Sequence, residues 1–527
     1  MNSVAMTEPL EVAKLGLSEK EAEERFEKLQ AKLIPLWKSI EGLDQEAQTI
    51  VVVPSQSIEF DCQGAEMQGY EERMLFLLLL LRQPKARIVY ATSQTILPAT
   101  LDYYLSIMPG VITSHALERF FNVTPEDRTP RPLALKLLER PNICEQIRAL
   151  IPDRDRAHLI TYNVTMYERD LALRLGIPLY GSDPSLFYLG SKTGSRETFA
   201  KAGVPYPIGF ENLGSMDEVG NALIELRRQN PAMKQAMVKL NDSVSGEGNA
   251  VIDISDLPDP ADAGSAEALE ARLRTMQFES SAVDFESFSQ ALLALGGIVE
   301  ERIQGHDFCS PSVQLRVSPL GDVDILSTHD QMLGGPSGGS FLGSRFPADE
   351  GYAGLIGGEA QKVGECLANM GALGRFAVDF VALRDDDGAW HCYAIEINLR
   401  QGGTTHPFMM LQFLTDGEYI ANEGVFRAPS GLEKYYVASD HMESSLYHAF
   451  TPGDLFDIVI RHGLHFDQAR QTGILLHMLA TVGENGRFGV VAVGDSPDQA
   501  EQFYQRIQAV IQGEAERAIQ APPLPDS

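Results

Sequence analysis

The feature that most constrains the fold is a pair of alternating apolar runs within residues 374–403, GRFAVDFVALRDDDGAWHCYAIEINLRQGG. Alternation with a period of two predicts strands that bury one face, and the Asp387-Gly388 dipeptide between the runs is favoured in two-residue hairpin turns. A turn centred on this dipeptide places Asp379 directly opposite Glu396 on one face of the hairpin. The other face would be apolar and would pack into a core; it comprises Phe376, Val378, Phe380, Ile395, Ile397 and Leu399.

The polar face of this hairpin has the composition of a cation site. Asn398 and Arg400 lie on the same face as Glu396, because they follow it by two and four residues in a strand. Two opposed carboxylates repel each other unless a cation lies between them. Together with the amide oxygen of Asn398, Asp379 and Glu396 form a hard-oxygen set suited to Mg²⁺ that bridges nucleotide phosphates. The alternative is an exposed hairpin with solvated charges, and the apolar opposite face argues against it.

The charge balance excludes one class of function. The 527 residues carry a formal net charge of −30, so a nucleic acid would be repelled rather than neutralised. An anionic substrate must therefore be bound by a local cluster of Lys, Arg and metal. The five cysteines are scattered without a CxxC pair, which favours free thiols in a reducing compartment.

No segment of the sequence predicts export or membrane insertion. The N-terminus is acidic and amphipathic, and it lacks the basic region followed by an apolar one that marks a signal peptide. The strongest apolar run, MLFLLLLL at 74–81, is far shorter than the ~20 residues that span a bilayer. We expect this run to lie in a buried helix over 69–82, and the protein to be soluble and cytoplasmic with no membrane partner.

The first third of the chain reads as a parallel α/β unit. Buried strands near 49–55, 86–93 and 157–165 alternate with helical segments, which predicts a Rossmann-like domain over residues 1–185. A GxGxxG dinucleotide fingerprint does not follow the first of these strands.

Two further units are predicted. Residues 186–424 combine helices with hairpin strands and Gly-rich loops, and they contain the polar hairpin. Residues 425–527 predict a small α+β domain with strands near its middle and a last helix that is capped by Ser496.

The polar hairpin resembles the metal-binding strands of ATP-grasp ligases, which carry an acidic residue and then Glu-x-Asn followed by a basic residue. The segments VDF and IEINLR supply this pattern in order. Upstream, SKTGSRETFAKAGVPYPIG is similar to the helix that opens the nucleotide-binding core of the family, with Lys192 at its start and Gly203 as its C-cap. The resemblance implies that this lysine contacts the α-phosphate region of the nucleotide.

Two more segments match the family in the expected order. AMVKLNDSVSGEGNAVI resembles the strand with a phosphate-binding lysine and the small-residue loop over the phosphates. GGIVEERIQGHDF resembles the connection between the two lobes, which implies that Glu300 meets the adenine edge and Asp307 meets the ribose. The nucleotide-binding residues implied by the resemblance are Lys192, Lys239, Ser245, Gly246, Gly248, Glu300, Arg302, Ile303 and Asp307.

The segment STHDQMLGGPSGGSFLGSRFP at 327–347 is not required by the generic fold. It is polar and Gly-rich, and it lies where ATP-grasp enzymes place contacts to the acceptor substrate. Together with VVVPSQSIEFD near the N-terminus, it is similar to the pheganomycin-type peptide ligases. The alternative interpretation of this segment is a mobile surface linker.

The resemblance implies an α/β multidomain protein, with a Rossmann-like pre-ATP-grasp domain, a two-lobed α+β ATP-grasp core and a small C-terminal α+β domain. Its implied chemistry is the ligation of a carboxylate to an amine through an acyl phosphate, with release of ADP and phosphate. The expected partners are small carboxylates and amines such as amino acids or peptides, and a homodimer is left open. A small-molecule kinase on the same fold and a non-catalytic ATP-binding regulator are the alternatives.

The same resemblance assigns roles within the site. ATP would bind between the lobes together with Mg²⁺, or Mn²⁺ in its place. Arg400, with Arg316 or Arg345, would stabilise negative charge on the transferred phosphoryl group and on the tetrahedral intermediate. The implied metal ligands are Asp379, Glu396 and Asn398.

Two Asp–His neighbours are a further candidate for acid–base or metal chemistry. They are His329 with Asp330, and Asp440 with His441. Neither pair has a second histidine at ligand spacing, so we expect both to be structural or exposed.

Overall fold

The N-terminal part of the chain alternates strands and helices, as its sequence predicts. A computed structural model describes residues 10–41, 47–58, 64–242, 248–258, 262, 264–280, 283–335 and 340–520. The elements of the N-terminal part are α1 (Glu19–Gln30), α2 (Leu33–Glu41), β1 (Gln48–Val53), α3 (Ala65–Glu72), β2 (Ala86–Ala91), α4 (Pro98–Ser106), α5 (Thr113–Leu117), β3 (Phe120–Val123), α6 (Leu133–Leu138), α7 (Pro141–Ala149), β4 (Ala157–Thr161) and α8 (Met166–Leu175). In the described residues these strands form a parallel sheet in the order β3-β2-β1-β4, which confirms the Rossmann-like prediction.

The carboxyl ends of β1 and β4 face the candidate site. Parallel strands run in one direction, so the segments that follow them emerge at one edge of the sheet. Gln56 and Ile58 after β1, and Tyr162 after β4, line the cleft described below. Helix α8 begins shortly after Tyr162, because Thr165 and Glu168 form a reciprocal capping box.

The next segment forms the smaller lobe of the core. Its elements are α9 (Lys192–Ala202), β5 (Gly209–Leu213), α10 (Met216–Gln229), β6 (Gln235–Leu240), β7 (Asn249–Asp253), α11 (Ser265–Leu273), β8 (Gln277–Phe278), α12 (Phe285–Leu295) and β9 (Gly297–Glu301). The strands pair antiparallel in the order β5-β9-β6-β7-β8, as far as the described residues extend. Buried side chains of α10 and α12 pack on this sheet.

The remaining chain builds a larger antiparallel sheet. Its elements are β10 (His306–Cys309), β11 (Pro311–Val317), β12 (Val323–Gly334), β13 (Ser340–Phe346), α13 (Glu350–Asn369), β14 (Gly374–Arg384), β15 (Trp390–Asn398), α14 (Thr405–Thr415), β16 (Glu418–Ile420), β17 (Val425–Arg427), β18 (Tyr435–Glu443), α15 (Pro452–Arg461), β19 (Gly473–His477), α16 (Val482–Asn485), β20 (Arg487–Gly494) and α17 (Pro497–Ile519). The strand order is β10-β14-β11-β12-β13-β18-β20-β19, with β15 paired to β14. The two antiparallel sheets correspond to the expected two lobes.

The C-terminal strands continue this larger sheet instead of forming one of their own. β18 pairs with β13, and β20 pairs with β18 and β19. The predicted boundary at residue 425 therefore does not coincide with a break in the sheet. Ser496 caps α17 as expected, because its side chain accepts a hydrogen bond from the backbone N–H of Gln499.

The apolar run at 74–81 is helical and buried, but the single helix expected over 69–82 is wrong in detail. Helix α3 ends at Glu72, and Arg73–Arg82 continue as a 3₁₀ helix. A helix with apolar residues on all sides is buried all round. This one lies in a core that also includes side chains of β1, β2, α14, β19 and β20. The run therefore holds the N-terminal sheet against the larger sheet.

Among the described residues, no helix combines the length and the apolar character needed to cross a lipid bilayer.

Candidate active site

The hairpin of β14 and β15 places Asp379 opposite Glu396, as predicted, although the turn differs from the prediction. The strands end at Arg384 and Trp390, which pair with each other, so the connection is longer than the Asp-Gly dipeptide. Gly388 adopts a φ of 85° in this connection. A β-bulge next to Asp379 then shifts the register by one residue. The longer turn and the bulge compensate, which restores the predicted opposition.

Because of the same bulge, one residue predicted for the apolar face does not lie on it. Ile395 is the extra residue on β15, because Phe380 pairs with Ala394 while Asp379 pairs with Glu396. Ile395 consequently lines the cleft, and Ala394 takes its place in the core. The other members of the predicted apolar face belong to the core or pack against it: Phe376, Val378, Phe380, Ile397 and Leu399.

The polar face of the hairpin has the donor set expected of a divalent cation site. The Nδ2 atom of Asn398 donates a hydrogen bond to Asp379 Oδ2 at 3.0 Å. Burial, together with the neighbouring charge of Glu396, raises the pKa of Asp379 to about 6. Such a pair of opposed carboxylates is stabilised by a cation, and carboxylate and amide oxygens are the ligands that Mg²⁺ prefers. The residues present therefore fit this ion.

Lys192 lies directly against this acidic pair. Ser191 caps α9 through its side chain, so Lys192 occupies the first position of the helix, and Gly203 ends the helix with a φ of 65° as predicted. Lys192 Nζ is 2.5 Å from Glu396 Oε1. Burial opposes ionisation of Glu396, but the Lys192 charge holds the pKa of this carboxyl below its ordinary value.

Lys239 faces the same cleft from the smaller lobe, and Glu300, for which the resemblance implies a contact with the adenine edge, is paired with two cations. Lys239 Nζ is 2.5 Å from Glu300 Oε1, and Arg196 Nη1 is 2.9 Å from Glu300 Oε2. Both oxygens of Glu300 are thus engaged, and the residue is only 2% exposed. In this arrangement Glu300 positions Lys239 rather than presenting a free carboxylate to a base.

The predicted connection between the lobes lies where β9 ends and β10 begins. Arg302 is held to β6, since its backbone N–H donates to the Gln235 carbonyl at 3.1 Å and its Nη1 donates to Gln235 Oε1 at 2.9 Å. Ile303 follows in the same connection and is partly exposed. Asp307 is exposed, and its Oδ2 lies 3.7 Å from Arg384 Nη1. It is not among the residues that line the cleft.

The predicted phosphate loop is only partly within the described residues. Gly248 precedes β7, and its carbonyl accepts a hydrogen bond from Leu240 N at 3.0 Å. Ser245 and Gly246 lie outside the described residues.

Of the three predicted catalytic arginines, only Arg400 lines the cleft. Arg316 bonds Asp324 Oδ2 at 2.6 Å, and it lies four residues along β11 from the partner of Asp379, roughly 13 Å away at the usual strand rise. Arg345 is exposed and pairs with Glu501 of α17 at 3.2 Å. A role for Arg316 or Arg345 beside Arg400 stays a prediction, and neither of the two lines this cleft.

The Gly-rich segment at 327–347 forms most of the hairpin of β12 and β13 rather than a loop. Residues 336–339 lie outside the described residues. Five side chains from this hairpin line the cleft: Gln331, Leu333, Ser340, Phe341 and Leu342. The hairpin thus forms one wall of a cleft of about 500 Å³.

A polar wall that the sequence did not predict closes another side of the cleft. Arg487 Nη1 donates to Glu66 Oε1 at 3.0 Å, and the Arg73 guanidinium lies 4.1 Å from the centre of the Tyr70 ring. His441 lies beside Arg487, with 3.3 Å between Nε2 and Nη2. These residues are up to 421 positions apart in the chain, so sequence spacing carries no signal of their proximity.

Asp440 is a buried carboxylate that holds this wall in place. It forms a buried ion pair with Arg73, and His406 Nε2 is 3.3 Å from its Oδ1. Burial opposes its ionisation, but the Arg73 charge holds the pKa of Asp440 well below its ordinary value. Within the described residues, His406, Asp440 and His477 are close enough together to hold a metal ion, but Arg73 already supplies a cation to this carboxylate. The arrangement supports the structural role expected for Asp440.

His329 is also placed structurally. It is fully buried, its Nε2 lies 2.8 Å from the Tyr436 hydroxyl, and burial lowers its pKa to about 3.

Comparisons with known proteins agree with this geometry. Residues 185–270 and 264–421 match the family model described as IQCH-like, ATP-grasp, and residues 454–507 match the model of the PGM1 C-terminal domain. The L-propargylglycine–L-glutamate ligase of Streptantibioticus cattleyicolor is 31% identical over 453 residues, which cover 84% of this chain and 89% of that ligase. The chain belongs to the ATP-grasp ligases.

More distant similarities extend over most of the chain. IQ motif-containing protein H of Danio rerio is 23% identical over 440 residues, which cover 75% of this chain and 41% of that longer protein. The ADP complex of purK, an N5-carboxyaminoimidazole ribonucleotide synthetase, superposes with a TM-score of 0.51 at 13% identity, covering 89% of this chain and 98% of that one. Biotin carboxylase of Campylobacter jejuni in its β,γ-ATP complex superposes with a TM-score of 0.50 at 12% identity, covering 90% of this chain and 96% of that one. The two solved structures show that the ATP-grasp fold is shared.

Replacing Lys239 with Met should weaken ATP binding, because an anion loses a charged hydrogen-bond donor from the smaller lobe. A hydrogen bond to a charged group is worth about 1.5–3 kcal/mol, so the Kd for ATP should rise about tenfold or more. Isothermal titration calorimetry measures this change. The control is Lys234→Met, because Lys234 is exposed and lies outside the cleft. Equal affinities of the two variants for ATP would contradict a phosphate-binding role for Lys239.

Proposed function

We propose that this chain joins a carboxylate of one amino acid or small peptide to the amine of another, at the expense of ATP and with Mg²⁺. The observation that carries the proposal is the juxtaposition of the Asp379, Glu396 and Asn398 set with Lys192, Lys239 and Arg400 in one cleft. Five charged side chains of both signs converge there. This combination suits a nucleotide triphosphate with its metal better than a neutral ligand.

The proposed reaction has two steps. An oxygen of the substrate carboxylate attacks the γ-phosphorus of ATP, the bond from this phosphorus to the β,γ-bridging oxygen breaks, and ADP leaves. The nitrogen of the second substrate then attacks the acyl carbon, loses one proton, and displaces phosphate to leave an amide. Both steps build negative charge, which preorganised cations stabilise.

Different residues of the cleft would bind the nucleotide and the metal ion. Lys192 and Lys239 would bind phosphate oxygens, and Asp379, Glu396 and Asn398 would hold Mg²⁺. The ion, when bound, would supply positive charge that stabilises the phosphate groups during transfer.

Arg400 is the proposed charge-stabilising residue at the acyl group. It follows the metal strand, and its Nη1 lies 3.4 Å from the Tyr162 hydroxyl of the N-terminal domain and 3.2 Å from the Gln401 carbonyl. These contacts hold the guanidinium between the domains. The protein stabilises the labile acyl phosphate by positioning it, by supplying positive charge and by excluding water.

The relative and the cleft walls support a proposal for the substrate class. The similar ligase of Streptantibioticus cattleyicolor is named for L-propargylglycine and L-glutamate. We propose that this chain likewise uses small amino acids or peptides, with the β12–β13 hairpin and the Arg73 and Arg487 wall in contact with them. Polar groups of both signs in that wall suit a zwitterionic substrate.

The test of this function is a coupled assay of ADP and phosphate release with Mg-ATP, run with amino acids and dipeptides singly and in pairs. We expect ADP and free phosphate to appear together, with a product whose mass equals that of both substrates less one water. A product heavier by one phosphoryl group, without free phosphate, would instead identify a kinase. ATP binding without turnover on any pair would favour a regulator.

Replacing Glu396 with Gln should reduce turnover about a hundredfold or more while the protein stays folded, because one of two opposed carboxylates is lost from the metal set. The rate of ADP release measures the effect, and circular dichroism checks the fold. Glu359→Gln is the matched control, since Glu359 pairs only with Lys362 on the surface of α13 among the described contacts. A near-normal rate for Glu396→Gln would refute the metal assignment.

A further inference from the structure

A second cavity lies behind the cleft, between the N-terminal sheet and the larger sheet. It encloses about 190 Å³ and is lined by apolar side chains of α2, of the 3₁₀ helix Arg73–Arg82 and of α14. The Trp37 and Tyr180 rings stack 5.7 Å apart in its wall. This space is large enough for the side chain and backbone of one amino acid.

The charged groups that line this cavity all have the same sign. They are Arg316, Arg375 and Arg400, and no carboxylate lines it among the described residues. The Arg316 guanidinium lies 5.0 Å from the centre of the Trp37 ring and forms an ion pair with Asp324. In a chain with a net charge of −30, three guanidinium groups around an apolar cavity favour an anion with an apolar body.

Five buried polar atoms of residues in the lining have no hydrogen-bond partner in the described part of the chain. They are Arg375 Nη1, the Tyr180 hydroxyl, His158 Nδ1, Thr161 Oγ1 and Asn163 Nδ2. Buried polar groups are nearly always hydrogen-bonded, and a donor left without a partner costs about 1–3 kcal/mol. Burial lowers the pKa of Arg375 to about 10, so this guanidinium remains charged at neutral pH. A bound carboxylate would satisfy it.

The cavity adjoins the cleft through two side chains. Arg400 and Tyr162 line both spaces. A molecule that places one carboxylate at Arg400 for reaction could therefore hold its other end against Arg375. Arg316, which the resemblance assigns to charge stabilisation beside Arg400, lines this cavity, so its charge acts on this other end.

We propose that this cavity binds the non-reacting carboxylate of a dicarboxylic amino acid, and that Arg375, with Arg316 and Tyr180, selects substrates carrying this second negative charge. The inference rests on the proposed ligase function, because it names the substrate class of that same site. Arg375 is a specificity-determining residue in this account, since it contacts the part of the substrate that does not react.

The test compares binding of L-glutamate with that of its uncharged isostere L-glutamine, by calorimetry in the presence of Mg-ADP. Arg375→Met should raise the Kd for L-glutamate about tenfold or more, because a charged hydrogen-bond donor is lost. The Kd values for L-glutamine and for Mg-ADP should change by no more than about twofold. Arg375→Lys should recover part of the affinity. Arg384→Met is the control, because Arg384 ends the same strand and stacks on Trp390 outside the cavity.

A second variant keeps the test independent of any folding defect in Arg375→Met. Tyr180→Phe removes one hydroxyl and no charge, and it should weaken L-glutamate binding severalfold without moving the thermal midpoint by more than a few degrees. Unchanged L-glutamate affinity in both variants would overturn the proposal.

The remaining outcomes separate this site from the ligase function. Ligation of uncharged amino acids only, with no affinity for L-glutamate or L-aspartate, would overturn the site and leave the ligase function standing. Arg375-dependent binding of L-glutamate, without ligation of any substrate pair, would support the site and count against the ligase function.

Discussion

The opposition of Asp379 and Glu396 is the constraint on which the rest of the site depends. Two carboxylates on adjacent strands of a largely buried sheet are unfavourable by themselves. Here Lys192 offsets one of them at 2.5 Å, and Asn398 donates to the other. This arrangement requires α9 to begin where it does, and it brings the smaller lobe, with Lys239, over the same face. The polar face is stable only in a cation-rich environment, which is also the environment that a nucleotide triphosphate requires.

The position of the N-terminal sheet is set by ordinary apolar burial. The buried 3₁₀ helix Arg73–Arg82 packs between that sheet, α14 and the C-terminal strands. The packing brings Tyr162 to Arg400 and Arg73 to Asp440, so side chains more than 200 residues apart meet at one cleft. The same contact encloses the arginine-lined cavity. The apolar run is thus the link between the core of the protein and both binding spaces.

The sequence predicted the parts of this site that depend on local periodicity and order. Alternation identified β14 and β15, and the capping signals of Gly203 and Ser496 matched the ends of their helices. The opposition of Asp379 and Glu396 was correct because a longer turn was compensated by a bulge, and a bulge has no reliable single-sequence signal. The contacts that the sequence did not predict are those between residues far apart in the chain. Glu300 is engaged by Arg196 and Lys239, and Arg345 pairs with Glu501 on a helix 156 residues away.

The central claim is that the carboxylate is activated as an acyl phosphate in the cleft. The direct measurement is the fate of oxygen from a substrate carboxylate labelled with ¹⁸O, followed by mass spectrometry of the released phosphate and of the amide. The account predicts one labelled oxygen in the phosphate and the other in the amide carbonyl, because the attacking carboxylate oxygen leaves with the phosphoryl group. Unlabelled phosphate released alongside a labelled amide would contradict it.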